Sequence, residues 1–229
     1  MQKVQRDGGK PTWNKITNYI FDLDGTLIDS FEDIFHALSE SAQTIGEDPP
    51  DRDALHMLMQ CRLDEIILKL FPMASEKHQA IKSNFIGIYD NSGFPGTILY
   101  PKVIETLSQL KSENKKLFLA TNKRESATSA LLLKCSLTDM FDSVVTSDVA
   151  GRTMTSKGEM LNELLDRCRQ DPDTSLYVGD TKGDWEAARE SGMSFVLAGY
   201  GYGGSGFLPE DALKVKIIDS FSELIELTK

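Results

Sequence analysis

Apolar and polar residues alternate with two different periods along this chain. The short apolar run Asn18–Phe21 ends at an acidic, glycine-containing segment, which is typical of a strand followed by a loop. Over residues 30–94, apolar residues recur at helical spacing, interrupted by Gly- and Pro-containing breaks, and no strand pattern is present. The pattern therefore predicts a helical insert between the first strand and the rest of the chain.

From residue 100 onward, short apolar runs alternate with helical patterns. The predicted strands are residues 116–120, 143–146, 175–178, 194–198 and 215–218. The predicted helices are residues 101–110, 125–134, 157–168, 185–191 and 221–227. This alternation favours an α/β fold in which a parallel sheet lies between two helical layers. In such sheets, ligands bind beyond the C-terminal ends of the strands.

Composition and charge narrow the function classes. The 229 residues are 40% apolar and 26% charged, which suits one sizeable domain or a core of roughly 150 residues with an insert. The formal net charge of −10 provides no long-range attraction for nucleic acid or an anionic membrane, so we expect neither as a partner. An anionic substrate would need local positive charge, from a cation or from Lys and Arg side chains.

The cysteines and the first residues predict a cytoplasmic protein. Cys61, Cys135 and Cys168 are scattered and form no CxxC pair, so we expect reduced thiols. The N-terminal residues are polar and lack the apolar run of a signal peptide. No apolar run approaches the ~18 residues of a membrane-spanning helix.

Two aspartates, Asp22 and Asp24, follow the first predicted strand. Side chains two residues apart on extended backbone lie on one side, where two carboxylates repel each other. A divalent cation and a protonated carboxyl would relieve the repulsion, and both suit acid–base chemistry at a metal site. A capping aspartate next to a turn aspartate would give the same pattern.

A second acidic cluster, Asp180 and Asp184, again follows an apolar run. Carboxylates from separate strand ends suit Mg²⁺, which prefers oxygen ligands. The alternative is that Asp184 only caps the next helix, although one carboxylate could also serve both purposes.

Thr121, Asn122 and Lys157 are candidate phosphate-binding residues. Thr121 and Asn122 follow a buried strand, where a hydroxyl, an amide and backbone N–H groups suit phosphate oxygens. Lys157 precedes a helix and would supply the positive charge that an anion site needs in an acidic protein. Taken singly, Thr121 and Asn122 are more typical of helix capping, and Lys157 is more typical of a surface lysine.

Together these motifs resemble the haloacid dehalogenase superfamily. Its four motifs are matched in order by residues 22–27 (DLDGTL, for DxDGTL), Thr121-Asn122, Lys157 and residues 179–184 (GDTKGD, for GDxxxD). The resemblance covers the chain from about residue 19 to the C-terminus. It implies a Rossmann-like three-layer α/β core with a parallel sheet and a small inserted all-helical cap domain of the C1 type. The implied division is a lead-in over residues 1–17, a core over residues 18–29 and 96–229, and a cap over residues 30–95.

The resemblance also implies a mechanism. Asp22 would attack phosphorus and form an aspartyl-phosphate, and Asp24 would protonate the leaving oxygen and then activate water. Dehalogenases of the superfamily lack an acid at the Asp24 position, because a halide needs no proton to leave. Asp24 therefore indicates phosphate-ester chemistry.

The ligand sets are implied in the same way. Mg²⁺ would be held by the Asp22 side chain, the Asp24 backbone carbonyl and Asp180, with Asp184 supporting it through water. The phosphoryl oxygens would be held by Thr121, the amide of Asn122 and Lys157.

The implied substrate is a small phosphorylated metabolite, because the layout is most similar to the phosphoglycolate phosphatase-like group. Specificity depends on the cap, where relatives often have a glycine-containing turn that here reads MQCRL over residues 59–63. Arg62 in this turn is a candidate clamp for a second anionic group, or else a solvated helix arginine. Residues 29–30 and 93–96 are the expected hinges of the cap.

Several alternatives remain open. A β-phosphoglucomutase-like phosphotransferase, a pyrophosphatase or a nucleotidase would share the core residues. The phosphonatase branch needs a cap lysine, and Lys69, Lys77 and Lys82 match no such context. A non-catalytic binding protein on the same fold is the remaining alternative. The expected assembly is a monomer or a homodimer.

Overall fold

The structure is a computed structural model that describes residues 13–148, 154, 156–208 and 215–228. The first 12 residues of the predicted lead-in lie outside the described residues. No helix in the described ranges is long and apolar enough to cross a membrane.

The part of the chain that the structure describes contains eight strands in two sheets. They are β1 (Asn18–Phe21), β2 (Ile28–Asp29), β3 (Ile98–Leu99), β4 (Lys116–Ala120), β5 (Ser143–Val145), β6 (Ser175–Gly179), β7 (Ser194–Ala198) and β8 (Val215–Ile218). Six of them form one sheet in the order β5-β4-β1-β6-β7-β8, and every neighbouring pair is parallel. The predicted parallel sheet is therefore confirmed.

The sheet is covered on both faces. All residues of β1, β6 and β7 are buried, as expected for central strands of a parallel sheet. Successive side chains on β1 alternate between two hydrophobic clusters, with Tyr19 and Phe21 in one and Ile20 in the other. The core therefore has three layers, as predicted.

Eight α-helices accompany the strands in the described ranges. They are α1 (Phe31–Thr44), α2 (Arg52–Leu58), α3 (Leu63–Leu70), α4 (His78–Asn91), α5 (Val103–Ser112), α6 (Glu125–Lys134), α7 (Lys157–Cys168) and α8 (Lys182–Glu190). The first four follow one another between β2 and β3 and pack together, with the α1–α4 contact the most extensive. This arrangement is the helical insert that the sequence predicts.

The two linkers of the insert lie side by side. β2 and β3 form a two-stranded antiparallel sheet in which Ile28 pairs with Leu99 and Asp29 with Ile98. The sequence did not predict this pair, because strands of two residues are too short to show alternation. The predicted limits of the insert fall beside these two strands, and they stay predictions.

The second linker is fixed from both sides. The Asp33 carboxylate on α1 accepts hydrogen bonds from the Gly96 N–H (2.9 Å) and the Thr97 hydroxyl (2.5 Å). Lys134 on α6 donates to the backbone carbonyls of Phe94 and Thr97. A Cβ on Gly96 would lie 2.7 Å from the Cβ of Glu32, so glycine is needed here for close packing against α1.

Three predicted helices differ from the observed ones for local reasons. α5 begins at Val103 rather than residue 101, because Lys102 has a φ of 69°, which a right-handed helix excludes. α8 begins three residues early because Thr181 and Asp184 form a capping box. The final segment, Phe221–Thr228, is a 3₁₀ helix, since apolar residues three apart suit that helix as well as an α-helix.

Candidate active site

The predicted site residues meet at the C-terminal edge of the sheet. Asp22 directly follows β1, Thr121 follows β4 and Asp180 follows β6. Because β4, β1 and β6 are neighbours and parallel, their last residues are brought to the same edge. The sheet order thus places residues that are about 60 to 160 positions apart in sequence next to one another.

Lys157 lies between two buried carboxylates. Its Nζ is 2.8 Å from Oδ1 of Asp22 and 3.0 Å from Oδ1 of Asp184. It is the first residue of α7, whose N-cap Ser156 accepts a hydrogen bond from the Glu159 N–H. Burial would lower the pKa of Lys157, but Asp184 and Asp22 outweigh burial and raise the pKa above its ordinary value. Lys157 is therefore a buried, charged residue and not a surface lysine.

The surroundings of Asp22 disfavour the ionised form of its carboxyl group. Only 7% of the residue is exposed, and burial, with contributions from Asp184 and Asp24, raises its pKa to about 7 although Lys157 acts in the other direction. A second cation beside Asp22, in addition to Lys157, would favour the ionised form.

Asp184 caps α8 and belongs to the site at the same time. Its Oδ2 accepts hydrogen bonds from the N–H and the hydroxyl of Thr181, and its Oδ1 accepts one from Tyr177. Burial acts to raise the pKa of Asp184, yet Lys157 and these hydrogen bonds hold it below its ordinary value. Capping and a site role are therefore combined in one carboxylate.

Asp180 lies in a cradle of glycine backbone. A Cβ on Gly25, which has a φ of +77°, would lie 2.2 Å from Oδ2 of Asp180, and a Cβ on Gly201 would lie 2.3 Å from its Cβ. The Tyr202 N–H donates to Oδ2 at 2.7 Å, and the Thr26 hydroxyl is 3.5 Å from Oδ1. Burial, followed by the charges of Asp184 and Asp22, raises the pKa of Asp180 well above its ordinary value.

Asp22, Asp180 and Asp184 together form a candidate metal site. Each offers a carboxylate oxygen, and the three oxygens lie within 4.8 Å of one another. Within the described ranges, Lys157 is the only cationic side chain that forms ion pairs with this cluster, and its partners are Asp22 and Asp184. An all-oxygen donor set with excess negative charge fits a hard divalent cation such as Mg²⁺.

The Asp24 side chain has different partners from that of Asp22. Its Oδ1 accepts a hydrogen bond from the Ser30 hydroxyl at 2.5 Å and lies 3.2 Å from Nζ of Lys123. The Asp24 side chain is 23% exposed and lines a cavity, whereas that of Asp22 is 10% exposed. The two aspartates of the first motif thus lie in distinct environments.

Thr121 and Asn122 do not cap the next helix. α6 begins at Glu125, so its N-cap residue is Arg124, and the capping interpretation is wrong for both. Thr121 is buried, and its hydroxyl oxygen accepts the N–H of Lys123 at 3.2 Å. Asn122 is exposed and lines the cavity.

The cavity lies between the core and the helical insert and has a volume of about 350 Å³. Asp24, Asn122 and Lys123 line it from the core, and Arg62 lines it from the insert. Arg62 occupies the N-cap position of α3, and its Nη2 donates to the carbonyl of Met154 at 3.2 Å. Arg62 thus extends from the insert to the core, next to the cavity.

Sequence reasoning missed two contributions to this site. Lys123 lies in the Thr121-Asn122-Lys123 segment and was assigned no role, although it pairs with Asp24. The glycine-rich residues 199–206 carry Gly201 and the Tyr202 N–H to Asp180. Their signal was the concentration of glycine just after a predicted strand, where close backbone approach requires it.

This chain is similar to known proteins both in sequence and in fold. The model of a family described as haloacid dehalogenase-like hydrolase matches residues 19–198. The chain is 31% identical over 190 residues to the phosphoglycolate phosphatase of Aquifex aeolicus (strain VF5), covering 80% of this chain and 84% of that protein. It is 30% identical over 188 residues to the phosphoglycolate phosphatase of Rhodobacter capsulatus, with the same coverage.

A solved structure shares the fold. The haloacid dehalogenase-like family hydrolase of Streptococcus pneumoniae superposes with a TM-score of 0.84 at 23% identity, covering 94% of this chain and 99% of that one. At this identity the likeness supports the fold alone.

We expect Gly201→Ala to lower the free energy of unfolding by about 1–3 kcal/mol, because the new methyl group would overlap Asp180 and the carbonyl of Gly25. Equilibrium urea unfolding measures this change. Gly206→Ala is the matched control, since it is exposed, belongs to the same segment and has open space around it, so its effect should stay within about 0.5 kcal/mol. Equal effects of the two substitutions would contradict the glycine cradle.

Proposed function

We propose that this chain, which belongs to the haloacid dehalogenase-like hydrolase family, is a magnesium-dependent phosphatase that hydrolyses a small phosphate monoester through an aspartyl-phosphate. The observation that carries the proposal is the convergence of Asp22, Lys157, Asp180 and Asp184 at one sheet edge, beside a cavity lined by Asp24. The phosphatases among its relatives support it.

In the proposed site, Mg²⁺ would be held by the side chains of Asp22 and Asp180 and the backbone carbonyl of Asp24, with Asp184 supporting it through water. Bound there, the ion would supply positive charge for the phosphoryl oxygens and keep the carboxylates ionised. Lys157, the Thr121 hydroxyl and the Asn122 amide would hold the same oxygens.

The first proposed step is attack by a carboxylate oxygen of Asp22 on phosphorus. The phosphorus–oxygen bond to the leaving group breaks, and its electron pair stays on the leaving oxygen. Asp24 donates a proton to that oxygen, since an alkoxide is a poor leaving group at neutral pH. Lys157 stays beside Asp22 and compensates the charge that develops on the phosphoryl group.

The second proposed step returns both aspartates to their starting states. Asp24, now a carboxylate, takes a proton from a water molecule whose oxygen attacks phosphorus. The bond between phosphorus and Asp22 breaks and phosphate is released. Splitting the hydrolysis into two displacements makes each of them easier.

The proposed substrate is a small phosphorylated metabolite with a second anionic group. A cavity of about 350 Å³ suits a small molecule, and Arg62 lines it opposite Asp24 and Asn122. A carboxylate such as that of phosphoglycolate would accept a charge-assisted hydrogen bond from Arg62. Of the three cap lysines, only Lys82 lines the cavity, and its ion pair with Asp64 at 2.6 Å gives no support to Schiff-base chemistry.

The proposed setting is the cytoplasm, where the protein would act as a monomer or homodimer without nucleic acid or membrane partners. The three free cysteines are compatible with a reducing compartment.

Replacing the nucleophile should abolish turnover. Asp22→Asn should lower kcat for p-nitrophenyl phosphate by roughly 10⁴-fold or more, because an amide oxygen does not form the covalent intermediate. Asp64→Asn is the matched control, since it makes the same change at a carboxylate that lines the cavity outside the buried cluster. Near-normal hydrolysis by Asp22→Asn would falsify the covalent mechanism.

Removing divalent cations should abolish turnover reversibly. Activity should be lost in excess EDTA and return with Mg²⁺, and Mg²⁺ should raise the Tm of the wild-type protein by mass action. Asp180→Asn should lose this rise in Tm, because it removes a charged oxygen of the buried cluster. An undiminished rate in EDTA, or equal stabilisation of both proteins by Mg²⁺, would contradict the metal site.

Arg62→Ala should affect substrates according to their second charge. KM for phosphoglycolate should rise about tenfold, since a charge-assisted hydrogen bond contributes roughly 1.5 kcal/mol, while KM for p-nitrophenyl phosphate should change little. Lys69→Ala is the matched control, because Lys69 is an exposed cap cation paired with Glu65. An unchanged KM for phosphoglycolate in Arg62→Ala would remove Arg62 from the site.

A further inference from the structure

Lys123 is a cation whose side chain is largely covered and has two polar partners from different parts of the fold. Its side chain is 10% exposed, and its Nζ lies 3.2 Å from Oδ1 of Asp24 in the core and 2.9 Å from the hydroxyl of Tyr89 on α4 of the insert. The ammonium also lies 4.6 Å from the centre of the Tyr89 ring, within cation–π range. Lys123 therefore joins the insert to one of the two motif aspartates.

The backbone of Lys123 is fixed as well. Its N–H donates to the Thr121 hydroxyl at 3.2 Å, and its carbonyl accepts the N–H of Ser147, also at 3.2 Å. With both backbone groups and the ammonium engaged, Lys123 has little freedom to move away from Asp24.

The neighbouring residue reinforces this contact. Arg124 donates to both carboxylate oxygens of Asp90, at 2.6 and 2.8 Å, and Asp90 directly follows Tyr89 on α4. Ser126 donates to the same carboxylate. Two consecutive residues of α4 thus meet two consecutive residues of the core, which fixes the register of Tyr89 against Lys123.

Both observed contacts of the Asp24 carboxylate fall on one oxygen. Ser30 and Lys123 both approach Oδ1, and no residue in the described ranges hydrogen-bonds Oδ2. Asp24 lines the cavity, so Oδ2, which has no hydrogen-bond partner among the described residues, is available for a reacting group. A proton donor must be held in this way to act within hydrogen-bond distance of a leaving oxygen.

We propose that Lys123, held by Tyr89, is a positioning residue that fixes the Asp24 carboxylate for proton transfer to the leaving oxygen. The proposal rests on the phosphatase function proposed above and adds to it a residue outside the matched motif positions. Tyr89 contributes from the insert, so the contact between insert and core takes part in orienting the acid.

Two aryl phosphates of similar shape separate this role from a structural one. The p-nitrophenolate leaves without a proton, whereas the more basic phenolate of phenyl phosphate gains from one. The measured quantity is the ratio of kcat/KM for p-nitrophenyl phosphate to kcat/KM for phenyl phosphate, because kcat/KM reports the steps up to departure of the leaving group. Asp24→Asn provides the reference ratio for departure without the acid.

Lys123→Met should raise this ratio about tenfold, toward the Asp24→Asn value, since a positioned acid contributes roughly 10²–10⁴-fold to such a step. Tyr89→Phe keeps the buried ring and removes only the hydroxyl, so it should raise the ratio less and tests the proposal even if Lys123→Met folds poorly. Lys77→Met is the matched control, because it removes a cap ion pair, that with Glu47, without touching Asp24 or Tyr89 and should affect both substrates equally.

The outcomes separate the two proposals. Equal losses on both substrates in Lys123→Met and Tyr89→Phe, or no losses, would overturn the role of Lys123 while wild-type hydrolysis and an inactive Asp22→Asn still support the phosphatase. A wild-type protein that hydrolyses neither ester in Mg²⁺ would overturn both.

Discussion

The burial of three carboxylates around one ammonium is the constraint on which the rest of the site depends. Asp22, Asp180 and Asp184 are almost completely removed from water, and among the described cations only Lys157 forms ion pairs with this cluster, through Asp22 and Asp184. Charges buried in this way are costly unless they are paired and hydrogen-bonded. The parallel sheet brings these residues together, and the charge of each carboxylate must then be compensated by hydrogen bonds or by a cation close to it.

The compensation differs from one carboxylate to the next. Asp184 receives hydrogen bonds from Thr181 and Tyr177 as well as the Lys157 ion pair, so its charge is well supported. Among the described residues, Asp180 has one close backbone donor, the Tyr202 N–H, so its negative charge is less compensated and favours a bound cation. Glycine allows the backbone that carries this donor to approach Asp180 closely. The glycines therefore help to stabilise the charge of Asp180, although they have no side chain.

Much of this arrangement could be predicted from sequence, because strand ends and acidic residues are local features. The alternation of strands and helices predicted the parallel sheet, and the sheet in turn brought Asp22, Thr121 and Asp180 to one edge. What escaped prediction depends on contacts between distant segments. Neither the pairing of β2 with β3 nor the approach of Gly201 to Asp180 leaves a periodic pattern in the sequence.

Lys123 illustrates the same limit for a charged side chain. Its neighbours Thr121 and Asn122 were identified from their place after a strand, but the partner of Lys123 on the insert, Tyr89, lies 34 residues away. In the sequence, Tyr89 is one of the apolar positions that recur at helical spacing. A buried position in the helix is enough to account for an aromatic residue there. Only the three-dimensional structure shows that its hydroxyl also meets a cation beside Asp24.

The separation of Asp22 from Asp24 follows from the turn between them and the insert. Asp22 continues the backbone pairing of β1 with β6, whereas Gly25, with its positive φ, reverses the chain directly after Asp24. Asp22 is therefore enclosed by the core, while Asp24 contacts Ser30, beside the first linker, and Lys123 in the core. Two carboxylates in different environments can perform different chemistry. Because Asp24, and not Asp22, contacts Ser30 and Lys123, the proposed mechanism allows changes in the insert to alter proton transfer without altering the ion pair between Asp22 and Lys157.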